Sequence, residues 1–239
     1  MKTHSSSEKS GFTLFETVIA IGVLAVLLTG FMYVFGPAAN GIRKAINVQE
    51  ADRLASTVER ELVTNREKTG TQETTGFEKA YSWIEGSYKP ESALFVYQYR
   101  GDPSSRRTDG TLSPVKTLTG SPGKDFVVQP MMRRLSDPAF LQDLTGVEGP
   151  VFLVKCLQLT YNSSGDEMEA KKSNQGRISD PDGGGGSTSA TTYPAAVLSF
   201  SAEFYSMPAR TPEYFQSPGF KSKFEKSSPV FIRNLAVRR

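Results

Sequence analysis

Residues 9–35 read KSGFTLFETVIAIGVLAVLLTGFMYVF, an apolar run that carries one carboxylate, Glu16, close to its start. Between Thr17 and Gly36 there is no charged residue. About 20 helical residues, at about 1.5 Å each, cover the roughly 30 Å hydrocarbon layer of a bilayer. The run is apolar on every side, unlike the striped helices that pack against soluble domains. The stretch therefore predicts a single membrane-spanning helix.

Glu16 is the feature that an ordinary span does not explain. An ionised side chain in a spanning helix costs on the order of 2.5 to 3.5 kcal/mol on insertion scales. Glu16 either lies close enough to the headgroups to stay hydrated or meets a cation at the same depth. A cut after Gly11 would create such a cation, the new amino group of Phe12 in a neighbouring copy of the helix. Two such groups would neutralise each other and set the axial register of the helices.

A resemblance to a known family is carried by the residues KSGFTLFE at 9–16 and the apolar run behind them. They resemble the type III signal of type IV prepilins and pseudopilins. In that family a membrane-embedded prepilin peptidase cuts after the glycine, on the cytoplasmic side, and N-methylates the exposed phenylalanine. The resemblance implies cleavage between Gly11 and Phe12, methylation of Phe12, and a role for Glu16 in pairing subunits and setting their register.

The same resemblance implies a fold class and a location. The expected fold is α+β and type IV pilin-like, with a long N-terminal helix packed on a small antiparallel β-sheet head with long loops. The expected parts are a cleaved cytoplasmic leader (1–11), a transmembrane and assembly helix (12–37), an amphipathic helix (38–69) and a β-rich globular head (70–239). The chain would cross the inner membrane once, with its N-terminus cytoplasmic and its head periplasmic or otherwise extracytoplasmic, and would be extracted into a filament after processing. Its partners would be the prepilin peptidase, other pilin or pseudopilin subunits, and the membrane.

Beyond Pro37 the residues themselves predict an amphipathic helix. Small and branched apolar residues recur at steps of three and four, with charged residues elsewhere around the helix. These positions are Ala38, Gly41, Ala45, Val48, Ala51, Ala55, Val58 and Leu62. Such a stripe favours packing on a sheet, and Gly70 predicts the end of the helix. Gly36-Pro37 and Asn40-Gly41 predict a kink or short break between the membrane and soluble halves.

The remainder predicts strands among long polar loops. Stretches rich in β-branched and aromatic residues at 93–99, 125–129, 151–160, 195–205 and 230–232 favour a small antiparallel sheet. Residues 81–84 (YSWI) favour a short helix with the indole of Trp83 in the core. Two stretches, 101–124 and 162–192, favour irregular structure.

The composition does not favour an enzyme. The single histidine, His4, falls in the leader, so the mature chain cannot form a histidine-containing nucleophilic triad. Residues 120–125 (GSPGKD) lack the glycine spacing and the Ser/Thr of a phosphate loop and predict a turn. Asp166 and Glu167 lie in a polar loop with no sign of a cleft that would shift their pKa values. We therefore predict no catalytic residue, no cofactor and no small-molecule substrate.

Metal, nucleic-acid and disulfide sites are also disfavoured. Asp180 and Asp182 flank a proline before a glycine run, and some pseudopilins bind calcium in a loop, but two carboxylates without further ligands favour a mobile loop. A net charge of +3 does not indicate nucleic acid, and the arginine pairs at 106–107, 133–134 and 238–239 are expected to be solvated. The one cysteine, Cys156, lies in an apolar run and predicts a small core residue.

Three classes of function fit these features. The first is a structural subunit of a type IV pilus, a type II secretion pseudopilus or a related filament, and a head spanning 70–239 is bulky enough to favour a minor subunit. The second is a minor subunit whose head binds a surface, a secreted substrate or DNA. The third is a single-span membrane-anchored or secreted domain unconnected with filaments, since the small residues at 36–39 (GPAA) would suit signal peptidase. The layout also resembles the prepilin-like cassette proteins of Verrucomicrobia.

Overall fold

The computed structural model describes residues 13–65, 75–117, 119–162, 164–170, 172–182, 188–226 and 228–239. The chain divides into two compact units, residues 1–46 and 47–239, which are described one at a time. Helix α1 (Leu14–Val63) begins in the first unit and ends in the second. It ends before Gly70, the predicted stop, which lies outside the described residues.

Helix α1 continues through Pro37, so the short break predicted at Gly36-Pro37 is wrong. Proline removes one donor from the helical ladder and crowds the preceding turn. The turns on either side of Pro37 nevertheless stay helical, so the loss is confined to one turn. The helix therefore tolerates the proline.

In the first unit every described residue of α1 is exposed. The exposed side chains include large apolar residues along the whole run, among them Leu14, Val26 and Tyr33. Within the described residues, α1 is the one helix long and apolar enough to cross a membrane. A signal sequence near an N-terminus has the same length and composition.

In the second unit α1 is a packed helix. Its buried residues are Ala51, Leu54, Ala55, Thr57, Val58, Glu61 and Leu62. Steps of three and four place them on one face, which lies against the sheet and confirms the later half of the predicted stripe. Ala38, Gly41 and Ala45, in the earlier half, are exposed.

The head contains one seven-stranded sheet in which every pair of strands is antiparallel. The strands are β1 (Leu94–Arg106), β2 (Leu112–Pro114), β3 (Val127–Arg134), β4 (Val147–Tyr161), β5 (Met168–Ala170), β6 (Val197–Ser206) and β7 (Phe231–Arg238). The order is β2-β1-β4-β6-β7, with β3 also on β1 and β5 on β4. All five predicted strands are present, and the antiparallel sheet is confirmed.

The stretches expected to be irregular contain regular structure, so that prediction is wrong in part. β1 continues to Arg106 and is followed by β2, both within 101–124. β5 lies within 162–192. Strands of three residues such as β2 and β5 are too short to show an alternating pattern, which explains why sequence periodicity misses them.

The described part of the head also contains four short α-helices: α2 (Gly76–Gly86), α3 (Pro138–Asp143), α4 (Pro212–Gln216) and α5 (Pro218–Lys226). Only α2 was predicted. It begins with a capping box in which Thr75 and Glu78 satisfy each other's backbone N–H groups. The last three each begin with a proline, which is well suited to the first helical position because it lacks the N–H that would stay unpaired there.

Helices cover both faces of the sheet. On one face α1 and α2 pack on apolar residues that include Val96, Phe152 and Phe200. On the other face α3, α4 and α5 enclose an aromatic core that includes Phe95 and Phe220. Because both of its faces are covered, β4 is buried at every position from 151 to 160, which accounts for its mainly apolar sequence without a strict alternation. Cys156 is one of these residues, so its predicted place in the core is confirmed.

Trp83 is half-buried at the margin of the first core, and its predicted place inside the core is wrong. The Lys79 ammonium lies 4.2 Å and the Arg134 guanidinium 4.9 Å from its ring centroid. A cation over the indole keeps contact with water while the ring covers apolar surface. The residue therefore shields the edge of α2.

Candidate functional site

The first turn of α1 holds Glu16 in a capping box. The Thr13 N–H and the Thr13 hydroxyl both donate to Glu16 Oε2, at 2.9 Å each. In return, the Glu16 N–H donates to Thr13 Oγ1 at 3.3 Å. This is the reciprocal Thr-x-x-Glu arrangement that satisfies free donors at a helix N-terminus. The Thr-x-x-Glu spacing is visible in the sequence, but the sequence interpretation gave Glu16 only an intermolecular role.

The cap gives Glu16 a role within its own chain. A carboxylate at a helix N-terminus is stabilised by the N–H groups and by the helix dipole. Both hydrogen bonds that the carboxylate accepts are to Oε2, and Oε1 has no hydrogen-bond partner within the described part of the chain. Gly11 and Phe12 lie outside the described residues, so the cleavage site and the pairing of Glu16 with Phe12 stay predictions.

The exposed apolar surface of α1 extends past the stretch predicted to lie in the membrane. Ile42 and Ile46 are 62% and 55% exposed, although Arg43 and Lys44 between them are charged. The exposed large apolar side chains from Leu14 to Phe35, with Ile42 and Ile46 beyond them, far exceed the scattered apolar residues of an ordinary soluble surface. Contiguous patches of this kind mark contact with a membrane or with another protein.

The head contains a buried cluster of charges that the sequence interpretation missed. Arg133, on β3, is only 4% exposed and donates to three carboxylates. Its Nε lies 2.8 Å from Asp143, its Nη1 2.7 Å from Asp137 and its Nη2 2.9 Å from Asp109. The planar fork of arginine suits such multiple contacts.

Asp143 is the centre of the same cluster. Besides Arg133, its carboxylate accepts from Arg107 Nη1 at 2.6 Å and from the Tyr97 hydroxyl at 2.7 Å. Burial raises the pKa of the Tyr97 phenol well above its usual value, and the Asp143 charge adds to the effect. Tyr97 therefore remains protonated and able to donate. The cluster joins β1, the β1–β2 connection, β3 and the end of α3. Its arrangement is therefore that of a structural cluster that holds these four parts of the head together.

Two arginines of this cluster correct a sequence-based prediction. The pairs at 106–107 and 133–134 were expected to be solvated, but Arg107 and Arg133 point into the buried cluster. Their neighbours point elsewhere, since Arg106 is exposed and Arg134 lies over Trp83. Arg133 and Arg134 are successive residues of β3 and face opposite sides of the sheet, whereas Arg107 lies in the β1–β2 connection just past the end of β1. The alternation along β3 was the signal available in the sequence.

A second buried cation fixes α5. Lys155, on β4, donates from Nζ to the carbonyl of Phe224 at 2.6 Å. Its ammonium lies 4.1 Å from the ring centroid of Phe224 and 5.0 Å from that of Tyr205. Burial lowers the pKa of Lys155, while Glu203 and Glu225 oppose that shift. The amine thus holds a carbonyl near the end of α5, where a cation is favoured.

Two loops were weighed as ligand sites in the sequence, residues 180–187 for calcium and residues 120–125 for phosphate. Asp180 Oδ1 accepts from the Asp182 N–H at 3.0 Å, and the glycine run at 183–187 lies outside the described residues. Among the residues that the structure describes, no group of three or more His, Cys, Asp or Glu is placed to hold a metal. The turn predicted at 120–125 is confirmed, with Gly123 at φ +82 and the Ser121 N–H donating to Asp125 at 2.7 Å.

Comparison of the chain with known protein-family models, with curated proteins and with solved structures finds no match. The functional conclusion therefore depends on the residues at the start of the chain and on the two kinds of surface along α1.

Proposed function

We propose that this chain is a structural subunit, present in few copies, of a type IV pilus, a type II secretion pseudopilus or a related filament. It assembles through α1 after a prepilin peptidase cuts between Gly11 and Phe12 and methylates Phe12. The observation that carries the proposal is one uninterrupted helix, exposed and apolar in the first unit and packed on an antiparallel sheet in the second. The proposed fold is accordingly type IV pilin-like.

The exposed half of α1 needs a surrounding that covers it. At about 25 cal/mol for each Å² of apolar surface removed from water, burying the side chain of a valine, leucine, isoleucine, phenylalanine or methionine contributes roughly 1.5 to 3 kcal/mol. The first unit exposes more than a dozen such side chains. A bilayer covers them before assembly, and the helices of neighbouring subunits cover them afterwards. The same surface thus serves for storage in the inner membrane and for assembly.

Glu16 supports the assembly step. Its Oε2 is taken by Thr13, and its Oε1 is available to the Phe12 ammonium of a neighbouring subunit. A carboxylate and an ammonium that meet in a layer of low dielectric attract strongly and cancel each other's cost of desolvation. The head supplies no catalytic group to this proposal, and we assign it a structural role without a cofactor.

The alternative is a single-span anchored or secreted domain outside any filament, which the length and composition of α1 also fit. N-terminal sequencing of the membrane-extracted chain separates the two. We expect a mature N-terminus at methylated Phe12. A mature N-terminus at Ala38 or Ala39 would contradict the filament proposal and support cleavage by signal peptidase.

Two glycine substitutions test whether the peptidase recognises Gly11. Gly11→Val places a branched side chain at the scissile bond and should leave the leader attached. Gly22→Val is the matched control, because a Cβ at Gly22 meets nothing within 4 Å in the chain. It should be processed as the unchanged protein is. Equal processing of both variants would contradict recognition of Gly11.

A further inference from the structure

The outer edge of β7 is an open template for another strand. β7 pairs with β6 along its whole length, from Phe231 opposite Phe204 to Arg238 opposite Val197, and no other strand within the described ranges pairs with it. Just beyond it, the Arg239 N–H donates to Ala196 at 2.9 Å. Hydrogen-bonded pairs alternate in antiparallel ladders, so the N–H and C=O groups of residues 232, 234, 236 and 238 turn away from β6.

This edge lacks the protection that the opposite edge has. β3, at the other side of the sheet, carries Pro130 in its middle, which removes a donor and discourages further pairing. β7 contains no proline, and its residues with outward backbone groups have exposed side chains, including Ile232 at 52%. An accessible, unblocked edge of four backbone pairs can take another strand.

The charge around this edge determines which kind of strand can pair with β7. Arg233, Arg238 and Arg239 are close together in sequence at the end of the chain. Arg233 pairs with Asp52 at 2.9 Å and Arg239 donates to backbone carbonyls, whereas Arg238 is exposed and has no ion pair within the described residues. Pairing β7 with β7 of a second copy would bring six arginines together, which like-charge repulsion opposes. An acidic strand suits the edge.

The chain has one such strand of its own. β5 pairs with β4 on one side only, and its three residues are exposed. Asp166 and Glu167 precede it and Glu169 lies in its centre, and none of the three carboxylates has an ion pair in the part of the chain that the structure describes. The β5 segment is thus an acidic free edge, and the β7 edge is a basic one.

We infer that the β7 edge of one copy binds the β5 segment of a second copy in parallel orientation, with Arg238 beside Glu169 and Ala236 beside Glu167. The backbone groups of Glu167 and Glu169 bond to β4, so a parallel strand is the arrangement that brings their side chains to the face of Arg238. The contact joins two different surfaces, so it is heterologous and can repeat from copy to copy in an open array. A three-residue strand makes a small contact, far below the roughly 1,200 Å² of a stable interface. It therefore acts between copies that α1 already holds in one membrane. The inference does not depend on cleavage or on Glu16.

Disulfide cross-linking between differently tagged full-length copies in membranes tests the contact. One copy carries Ala236→Cys and the other Glu167→Cys, while Cys156 is buried in both. We expect the mixed dimer at five or more times the yield of either cysteine variant paired with itself. The control pair replaces Ala236→Cys by Lys221→Cys, an exposed position on α5, and should give only the background yield. Equal yields from all pairings would overturn the inference.

Charge reversal identifies the interaction that holds the contact. Arg238→Glu in the Ala236→Cys copy should lower the cross-link at least fivefold. Glu169→Arg in the Glu167→Cys copy should restore half or more of that loss. Tryptophan emission from Trp83 checks that each variant is folded. A yield unchanged by Arg238→Glu in a folded chain would overturn the inference. The same yields in a Glu16→Ala background would separate this contact from the assembly proposed for α1.

Discussion

At the scale of single residues, Arg133 shows how a charge can be buried in the head. Five groups share the site: two guanidinium groups, Arg133 and Arg107, and the carboxylates of Asp109, Asp137 and Asp143. Each carboxylate has a donor at less than 3 Å, so desolvation is offset by charge-assisted hydrogen bonds. Removing one partner leaves the other charges buried without a counter-charge. This costs more free energy of folding than replacing the whole cluster by apolar residues.

Arg133→Met tests the cluster directly. The substitution keeps an apolar side chain of useful length and leaves three carboxylates short of a donor, so the free energy of unfolding should fall by about 3 to 5 kcal/mol. Arg106→Met, at an exposed neighbour, should change it by no more than about 0.5 kcal/mol. Urea unfolding of the detergent-solubilised chain, followed by Trp83 fluorescence, gives both values. Coincident unfolding curves would mean that the cluster is not stabilising.

Asp109 predicts how this stability depends on pH. Burial alone would raise the pKa of its carboxyl group, but hydrogen bonds from Thr111 and Arg133 outweigh burial and hold the pKa below its usual range. A carboxyl whose pKa is lower in the folded chain adds stability above its unfolded pKa of about 3.9, and that stability is lost as the pH falls through the folded value.

Asp109→Asn should therefore lower stability at neutral pH and flatten the acid loss of stability below about pH 4. Asp166→Asn is the matched control, since Asp166 is exposed and has no ion pair among the residues that the structure describes. Its urea midpoints should follow those of the unchanged chain at every pH. An acid profile of Asp109→Asn parallel to that of the unchanged chain would show that the Asp109 carboxyl does not contribute there.

At the scale of secondary-structure elements, the sequence predicts those that are long enough to show a repeating apolar pattern and misses the short ones. α1 and β4 are long enough for their apolar pattern to be read, and both are present. β2, β5 and α3 have three to six residues each, within which no period can be recognised. Their positions depend on contacts distant in the chain, such as Arg107 with Asp143, which no local pattern encodes.

The same limit applies to the candidate sites. The carboxylate of Glu16 could be found from the sequence because a charge inside an apolar run is conspicuous. The Arg133 cluster could not, because Asp109, Arg133 and Asp143 come together only when β3 pairs with β1 and α3 folds beside it. Lys155 was hidden for a similar reason, since its partner is a backbone carbonyl 69 positions away.

The Lys79 side chain connects two helices of the head, the end of α1 and the start of α2. Its Nζ donates to the carbonyls of Glu61 and Thr64, at 2.8 and 2.5 Å, and so satisfies the C-terminal end of α1 from the first turns of α2. Lys79→Met should lower the free energy of unfolding by about 1 to 2 kcal/mol, because hydrogen bonds from a charged donor are lost at a helix C-terminus. Loss of ellipticity at 222 nm during urea titration measures this.

The control for Lys79 is Lys89→Met. Lys89 is exposed after α2, and the substitution removes the same charge without removing a cap. Its unfolding midpoint should match that of the unchanged chain. An equal loss in both variants would assign the effect to net charge and not to the end of α1.

At the scale of the whole molecule, one helix serves two surroundings. Residues of α1 in the first unit are exposed and apolar, and those from Ala51 to Leu62 form one wall of a closed core. The head is stabilised by its two cores and its buried charges without any disulfide, since the chain has a single cysteine. In the proposed assembly, the surroundings of the first unit would therefore change without opening the core of the second.

Glu16 has two proposed roles, as a helix cap within its own chain and as a charge for a neighbouring subunit, and two substitutions separate them. Glu16→Gln keeps the capping box, because glutamine accepts the Thr13 N–H as glutamate does, but it removes the charge. Thr13→Ala keeps the charge and loses the hydroxyl, at a cost of about 1 kcal/mol to the first turn. If the charge neutralises the Phe12 amine of the next subunit, both variants should insert and be cut after Gly11. Glu16→Gln should then fall at least tenfold in the filament fraction, whereas Thr13→Ala should keep half or more. The reverse order, with Glu16→Gln assembling normally and Thr13→Ala failing, would assign Glu16 to capping alone.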